Sequence, residues 1–383
     1  DFVVMTAQEK HLVLYRKHRP REFTELVGQD NVVNAITKAI AIGRVAHAYL
    51  FCGPRGVGKT TTARLIAKAL QCEGGKKPCN KCARCNDFNE GRAIDLIEID
   101  AASNRNIDDI RELREAVRFV PVHGKKKVYI IDEVHMLTKD AFNALLKTLE
   151  EPPPHVVFVL ATTESERVPA TIISRTQRYD FRRPTVEDIG CRLAEIAKRE
   201  KISLDPDAAK LIALVAEGSM RDAESVLGQV MVVSEKKIGC ADVEGALGLP
   251  KREAAKKIFS LIAKKDTPAA LAVVENLMDA GHDPALFLRN LLRYMRAALL
   301  LKVAPNLAHM VQMDFLADEY ECIVAHSADF THVELARATE SLAQYQYQFK
   351  HAPIPQLPLE LAVIKLSSMR ERTNLKADIQ KLA

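Results

Sequence analysis

No apolar run in this sequence approaches the roughly 18 residues that a membrane-spanning helix requires, so insertion into a bilayer is excluded. A secretory signal is lacking as well. The first ten residues, Asp1 to Lys10, carry a short apolar patch at Phe2 to Met5 but no basic start and no long apolar core, which points to the cytoplasm. Cysteine is sparse: eight in 383 residues cannot build a disulfide scaffold. Charge of one sign is nearly balanced by the other, 55 Lys and Arg against 50 Asp and Glu, so a basic surface for nucleic acid would have to be local. No repeat of fixed period and no low-complexity tract occurs, and the Pro353, Pro355, Pro358 cluster reads as a turn before a last helix. What remains, 48% hydrophobic and 27% charged residues, is the mix of a folded protein too long for one core, with two or three domains.

Five short apolar runs alternate with helical patterns in the first half: Ala48 to Cys52, Asp95 to Asp100, Lys127 to Asp132, Val156 to Thr162 and Gln177 to Phe181. That rhythm predicts an α/β domain with a parallel sheet covered on both faces. Val128 to Ile131 and Val156 to Ala161 are continuously apolar, as central strands buried on both faces must be. Beyond Pro184 strand signals stop. Thr185 with Asp188 forms a capping box for a helix bearing Ile189, Leu193 and Ile196 on one face; Asp205-Pro206 opens a second that Gly218 closes; Ser219 with Asp222 caps a third. After about Leu249 only long amphipathic helical stretches follow, including Leu286 to Leu301, whose apolar stripe serves either a bundle core or an interface. The expected domains are 1–184, with an inserted module at about 72–90, then 185–248 and 249–383.

Gly53, Pro54, Arg55, Gly56, Val57, Gly58, Lys59, Thr60 and Thr61 join the first strand to a helix, the setting a phosphate-binding loop requires. Its glycines let backbone N–H groups converge on phosphate oxygens, Lys59 reaches the β/γ-phosphates, and Thr60 offers a hydroxyl to Mg²⁺. Asp132 and Glu133 end the third strand at the carboxyl edge, where ligands of open α/β sheets bind. Asp132 suits Mg²⁺, directly or through water, and Glu133 suits a water-polarising base; the bland reading is a solvated loop pair. Thr162 and Thr163 end the next strand with hydroxyls able to bond a γ-phosphate or the water beside Glu133. Arg175 and Arg221 each fit either charge neutralisation on a transferring phosphoryl group or a surface ion pair.

Cys72, Cys79, Cys82 and Cys85 follow the pattern C-x₆-C-x₂-C-x₂-C, the donor set of a closed structural Zn²⁺ site; an iron–sulfur cluster or buried free thiols are the alternatives. Cys52, Cys191, Cys240 and Cys322 are scattered and read as core residues. The histidines show no metal-ligand spacing, and His135 reads as a loop or packing residue.

With these motifs in this order the chain resembles the AAA+ ATPases, and more closely the gamma and tau subunits of the bacterial DNA polymerase III clamp loader. The likeness covers nearly the whole chain and rests on Arg19-Pro20 with Val27 to Gln29, on His47 to Phe51, Asp95 to Ser103, Asp132 to Leu137, and Asn143 to Pro153. Thr176 departs from the family's serine-arginine-cysteine motif, and the gap from Cys72 to Cys79 is longer in some relatives. The resemblance implies an AAA+ P-loop NTPase domain, a small helical lid domain and a C-terminal helical collar domain that holds a ring of five. It implies ATP as cofactor, three copies of this subunit, delta and delta-prime partners, a sliding clamp and primer-template DNA. It gives Thr163 the sensor-one place, Arg221 the sensor-two place, and Arg175 the arginine finger that reaches a neighbouring site. A longer tau form would add domains for helicase and polymerase. Ser103, Asn104, Arg105 and Arg111 are candidate phosphate contacts for DNA, or a solvated helix face. Two other readings stand beside this one: an AAA+ motor for branch migration or protein remodelling, and a ring scaffold that binds nucleotide without hydrolysing it.

Overall fold

The computed structural model describes residues 13–234, 236–249, 252–349 and 351–368. The stretch Asp1 to Lys10, where no secretory signal is read, lies outside them. The chain packs as two units, one formed by residues 1–196 and 215–228, the other by 197–214 and 229–383.

In the first unit the strands are β1 (Ala48–Cys52), β2 (Leu96–Asp100), β3 (Lys127–Asp132), β4 (Val156–Thr162) and β5 (Gln177–Asp180). They form one parallel sheet in the order β2-β3-β4-β1-β5. The expected strand at 95 begins one residue later, and that at 177 stops one residue earlier. All of β1 and β4 is buried, which explains their unbroken apolar sequences. Because successive side chains point to opposite faces, Leu50, Tyr129, Ile131 and Phe158 build one core, while Tyr49, Phe51, Ile130 and Val159 build the other.

Helices of this half are α1 (Leu14–Lys17), α2 (Asp30–Ala41), α3 (Lys59–Gln71), α4 (Ala83–Asn89), α5 (Ile107–Val117), α6 (Lys139–Glu150), α7 (Ala170–Ile173) and α8 (Val186–Arg199). α2, beyond the elements expected from sequence, buries Val32 and Ile36 in the same core as Leu65 and Ile66 of α3. Ile110 and Leu113 of α5 and Phe142 and Leu145 of α6 fill the opposite face. The Thr185–Asp188 capping box is formed, with Thr185 N donating to Asp188 at 3.1 Å and Asp188 N to Thr185 Oγ1 at 3.1 Å. α9 (Pro206–Val215) belongs, except for its last residue, to the second unit, and the chain returns to the first with the start of α10 (Met220–Val233), opened by Asp222 N donating to Ser219 Oγ at 3.3 Å.

In the second unit β6 (Ser203–Leu204) pairs in parallel with β7 (Lys237–Ile238), and the chain continues as α11 (Cys240–Leu247), α12 (Arg252–Lys264), α13 (Thr267–Asp279), α14 (Pro284–Val303), α15 (Ala308–Met313), α16 (Ala317–Ser327), α17 (His332–Gln348) and α18 (Leu357–Ser368). Phe287, Leu288, Leu291, Met295 and Ala298 of α14 are buried against α12, α16, α17 and α18, so the Leu286 to Leu301 stripe is mainly bundle core. Tyr294 donates to buried Glu319 at 2.7 Å, satisfying that carboxylate inside the bundle. Among the described residues no helix is long and apolar enough to cross a membrane.

Candidate nucleotide site and metal centre

β1 ends at the carboxyl edge of the sheet, and the phosphate loop turns from it into α3. Two of its glycines are required by geometry. A Cβ on Gly53 (φ +146°) would lie 2.5 Å from the Phe181 carbonyl oxygen, and one on Gly56 (φ +77°) 2.0 Å from Ser219 Oγ. Gly58, at φ 100°, caps α3 and leaves that helix's first N–H groups facing the loop. Lys59 is buried and donates to the Gly53 and Pro54 carbonyls at 2.6 and 2.7 Å. Burial lowers its pKa, while Glu133 and Asp132 pull it back up.

Thr60 Oγ1 donates to Asp132 Oδ2 at 2.7 Å, so the helix start and the end of β3 share one oxygen-rich spot. Hydroxyl and carboxylate oxygens side by side are the hard donors that Mg²⁺ takes. Next to them Glu133 sits in the left-handed region at φ 47°, and Thr163 Oγ1 donates to its carboxylate at 3.0 Å. His135, read from sequence as a loop or packing residue, has a buried side chain whose Nδ1 is 3.0 Å from Thr162 Oγ1 and 3.5 Å from Glu133, and whose Nε2 is 3.3 Å from Glu164. Buried between those groups, it helps fix the Glu133 carboxylate.

A cavity of about 100 Å³ opens on the phosphate loop and is lined by Arg55 to Thr61, Asp132, Glu133 and Arg221. The Arg221 guanidinium lies 5.7 Å from the Tyr15 ring. Arg175 stands apart, donating to Glu150 at 2.7 Å and to the Thr171 carbonyl at 2.9 Å, and it does not line this cavity. Lysine, threonines, both acids and Arg221 thus converge, while the second arginine faces elsewhere. Sequence reasoning missed the other wall: Tyr15, Arg19, Arg192 and Glu224 also line the cavity. Burial, then Arg64, brings Arg19 down to about 10. The Arg19-Pro20 pair was the one signal available for this wall.

The four clustered cysteines meet, with all sulfur atoms within 4.8 Å of one another and Cys79 Sγ 3.9 Å from Cys85 Sγ. A tetrahedral ion with metal–sulfur bonds of about 2.3 Å separates its sulfurs by roughly 3.8 Å, so the quartet fits one ion. Backbone N–H groups already point at the sulfurs: Gly74 and Cys79 donate to Cys72 at 3.3 Å each, and Cys82 to Cys79 at 3.4 Å. Such bonds, led by that from Lys81, bring Cys79 down to about 6, while burial pushes Cys85 up to about 12. Lys68 of α3 is buried beside this module and donates to Asn80, to Asn89 at 2.6 Å and to the Arg21 carbonyl at 3.2 Å.

Of the remaining cysteines, Cys52 is buried and Cys240 and Cys322 are half-buried, but Cys191 is exposed, against expectation. It lies on α8 two residues from both Ile189 and Leu193, off the buried stripe they define. Ser103 and Asn104 bond back to Asp100, and Arg111 pairs with Asp108 at 2.9 Å on an exposed face of α5.

Three family models match in succession: residues 28–185 match one described as DNA polymerase III, delta subunit; 188–236 the DNA polymerase III clamp loader subunit, ATPase lid domain; and 238–382 DNA polymerase III subunits gamma and tau domain III. The DNA polymerase III subunit tau of Bacillus subtilis (strain 168) is 39% identical over 355 residues, 92% of this chain and 62% of its own length. Its counterpart in Escherichia coli (strain K12) is 40% identical over 76% of this chain and 46% of its own length. This chain therefore spans roughly half to three fifths of those two relatives. The DNA polymerase III subunit gamma of Buchnera aphidicola subsp. Schizaphis graminum (strain Sg) is 37% identical over 83% of this chain and is itself covered over 88% of its length. At that identity and that coverage, the likeness exceeds a shared phosphate-loop domain, and the chain belongs to the family of DNA polymerase III gamma and tau subunits.

Proposed function

We propose that this chain is the ATP-hydrolysing motor subunit of the bacterial replicative clamp loader, opening a sliding clamp and placing it on primer-template DNA. The observation that carries the ATPase reading is the joining of Thr60 to Asp132 at 2.7 Å and of Thr163 to Glu133 at 3.0 Å beside Lys59, and the loader reading is supported by the likeness to gamma and tau subunits. Phosphoryl transfer asks the protein for positioning and charge rather than covalent chemistry. Lys59 and the loop N–H groups hold the phosphates, Thr60 and Asp132 hold Mg²⁺, and Glu133, oriented by Thr163 and His135, takes the proton of the attacking water. Mg²⁺, when bound, neutralises charge on the β- and γ-oxygens. Arg221 acts as sensor two from α10, and Arg175, outside its own cavity, serves the neighbouring subunit's site. Cys72, Cys79, Cys82 and Cys85 hold a structural Zn²⁺, a reading supported by their fit to one tetrahedral ion.

The proposed partners are delta and delta-prime subunits, two further copies of this chain, the clamp and DNA, with polymerase core and helicase where a longer form exists; the place is the cytoplasm. Residues 1–184, 185–248 and 249–383 act as ATPase, lid and collar domains; the first boundary is supported by family matches that change between 185 and 188, whereas the second change in the matches falls earlier, between 236 and 238. The test is ATP turnover by the chain assembled with its delta-type partners. Turnover is expected to rise only when clamp and primed DNA are both present, and Arg175→Ala to abolish the rise. Hydrolysis indifferent to clamp and DNA would sink the loader reading and favour another motor.

A further inference from the structure

Glu224 is 5% exposed, lines the cavity on the phosphate loop, and accepts no hydrogen bond among the described residues. Its nearest cationic atom, Arg192 Nε, is 3.9 Å away, and the two other nitrogens of that guanidinium are committed to Glu195 at 3.1 Å and to the His18 carbonyl at 2.9 Å. With no donor among the described residues, this carboxylate opens on the cavity rather than being sealed in the core, so a donor on a bound ligand is the partner its place in the wall can take. Burial, opposed by Arg192 and Arg19, pushes Glu224 up to about 7. The surrounding lining is the kind a planar base takes: Pro20, Leu26, Val27 and Met220 supply apolar surface. Glu25, the other acid away from the phosphate loop, is tied to the backbone N–H of Arg21 at 2.6 Å. Glu224 also stands one turn after Arg221 on α10, so one helix presents a cation and, a turn later, an acceptor.

We infer that Glu224 selects the base of the bound nucleotide, its carboxylate accepting from the amino group that adenine carries at C6 and repelling the C6 carbonyl of hypoxanthine or guanine. This presupposes that the cavity holds a nucleoside triphosphate, as proposed above. The discrimination is strong because the wrong base both leaves the carboxylate unpaired and turns an oxygen toward it. Protonated Glu224 would instead donate to the C6 carbonyl, so selectivity weakens as pH falls through about 7. The groups facing Glu224 are Arg192 from α8 and Arg19 from the segment after α1, with Arg221 on its own helix and Glu25 in the same lining. Arg19, at about 10, keeps its charge between pH 6 and 8.

The experiment is calorimetric titration of the chain with ATP and with inosine triphosphate, each with Mg²⁺, at pH 8 and pH 6. These nucleotides differ only at the base edge in question, and protonation of their common triphosphate cancels in the ratio. Wild type is expected to prefer ATP by at least about tenfold at pH 8, with the preference narrowing at pH 6. Glu224→Gln, whose amide both donates and accepts, is expected to shrink the ratio at pH 8 and remove its pH dependence. An unchanged ratio in Glu224→Gln, or a wild-type ratio indifferent to pH, overturns the assignment. If the variant fails to fold by circular dichroism, the wild-type comparison at the two pH values decides alone. Should neither nucleotide bind, the nucleotide-site reading itself fails; should both bind with selectivity untouched, only the role of Glu224 does.

Discussion

Replacing Asp95 by asparagine tests how the starting end of β3 is held, the strand whose opposite, carboxyl end carries Asp132 and Glu133. Asp95 lies just before β2 and is 2% exposed; its carboxylate accepts from the backbone N–H groups of Val122 at 2.8 Å, His123 at 2.9 Å and Gly124 at 3.0 Å. Those three residues form the loop that leads into β3. Burial alone would raise the pKa of Asp95, but the three N–H donors outweigh it and hold the group below the usual carboxylate range. An asparagine keeps at best two of the three bonds, both without charge, and turns an amide N–H₂ toward the third donor. Val122 and His123 are exposed, so water replaces part of what is lost, and the cost is about 2 kcal/mol rather than the larger figure for a sealed site. The sign with pH is fixed. A carboxyl whose folded pKa is depressed contributes fully above its unfolded pKa, about 4, and loses that contribution as pH falls through the folded value. The gap between wild type and Asp95→Asn is therefore greatest at neutral pH and closes in acid. The chain has no tryptophan, so guanidinium unfolding is followed by far-ultraviolet circular dichroism, with hydrogen exchange over residues 118–128 to locate the change. A stability within about 0.5 kcal/mol of wild type at pH 7, or a gap that widens in acid, would refute the reasoning.

Elemental analysis should find one zinc ion per chain, and Cys85→Ser, which removes a buried ligand, should release it to a chelator far faster than wild type does; retention in that variant counts against the four-sulfur centre. Phe259→Ala should destabilise the helical second unit by about 3–5 kcal/mol in calorimetry, because the ring is fully buried between Tyr294 at 5.7 Å and Phe330 at 5.9 Å.

Much of the fold was readable because burial on both faces of a parallel sheet leaves no room for alternation: Val128 to Ile131 and Val156 to Ala161 had to be central strands. The phosphate loop, the acids after β3 and the cysteine quartet were readable because each compresses its chemistry into a few consecutive residues. The base-side wall was not, since Tyr15, Arg19, Arg192 and Glu224 come from three distant segments and meet only after folding. Arg192 and Glu224 each occupy a polar position on an amphipathic helix, where periodicity cannot distinguish solvent from a cavity. The bond from His135 was not readable for a related reason: its partner Thr162 lies across the end of a neighbouring strand, 27 positions away. Cys191 shows the converse error, where residue type suggested burial and helix phase dictated exposure.

The separate features of the first unit share one member, α3. Its first turn carries Lys59 and Thr60, so any rotation of this helix moves both the phosphate-binding ammonium and the hydroxyl on Asp132. Farther along, Arg64 pairs with Glu98 of β2, and Lys68 is gripped by Asn80 and Asn89 of the cysteine module. At its end Gln71 donates to the carbonyls of Asp95 and Lys126 at 3.3 and 3.2 Å, the same segments that the Asp95 carboxylate ties together. Helix hydrogen bonding makes a 13-residue element act as one body, so a force on the last turn is felt at the first. Cysteine module, Asp95 turn and phosphate loop are therefore all anchored on one helix.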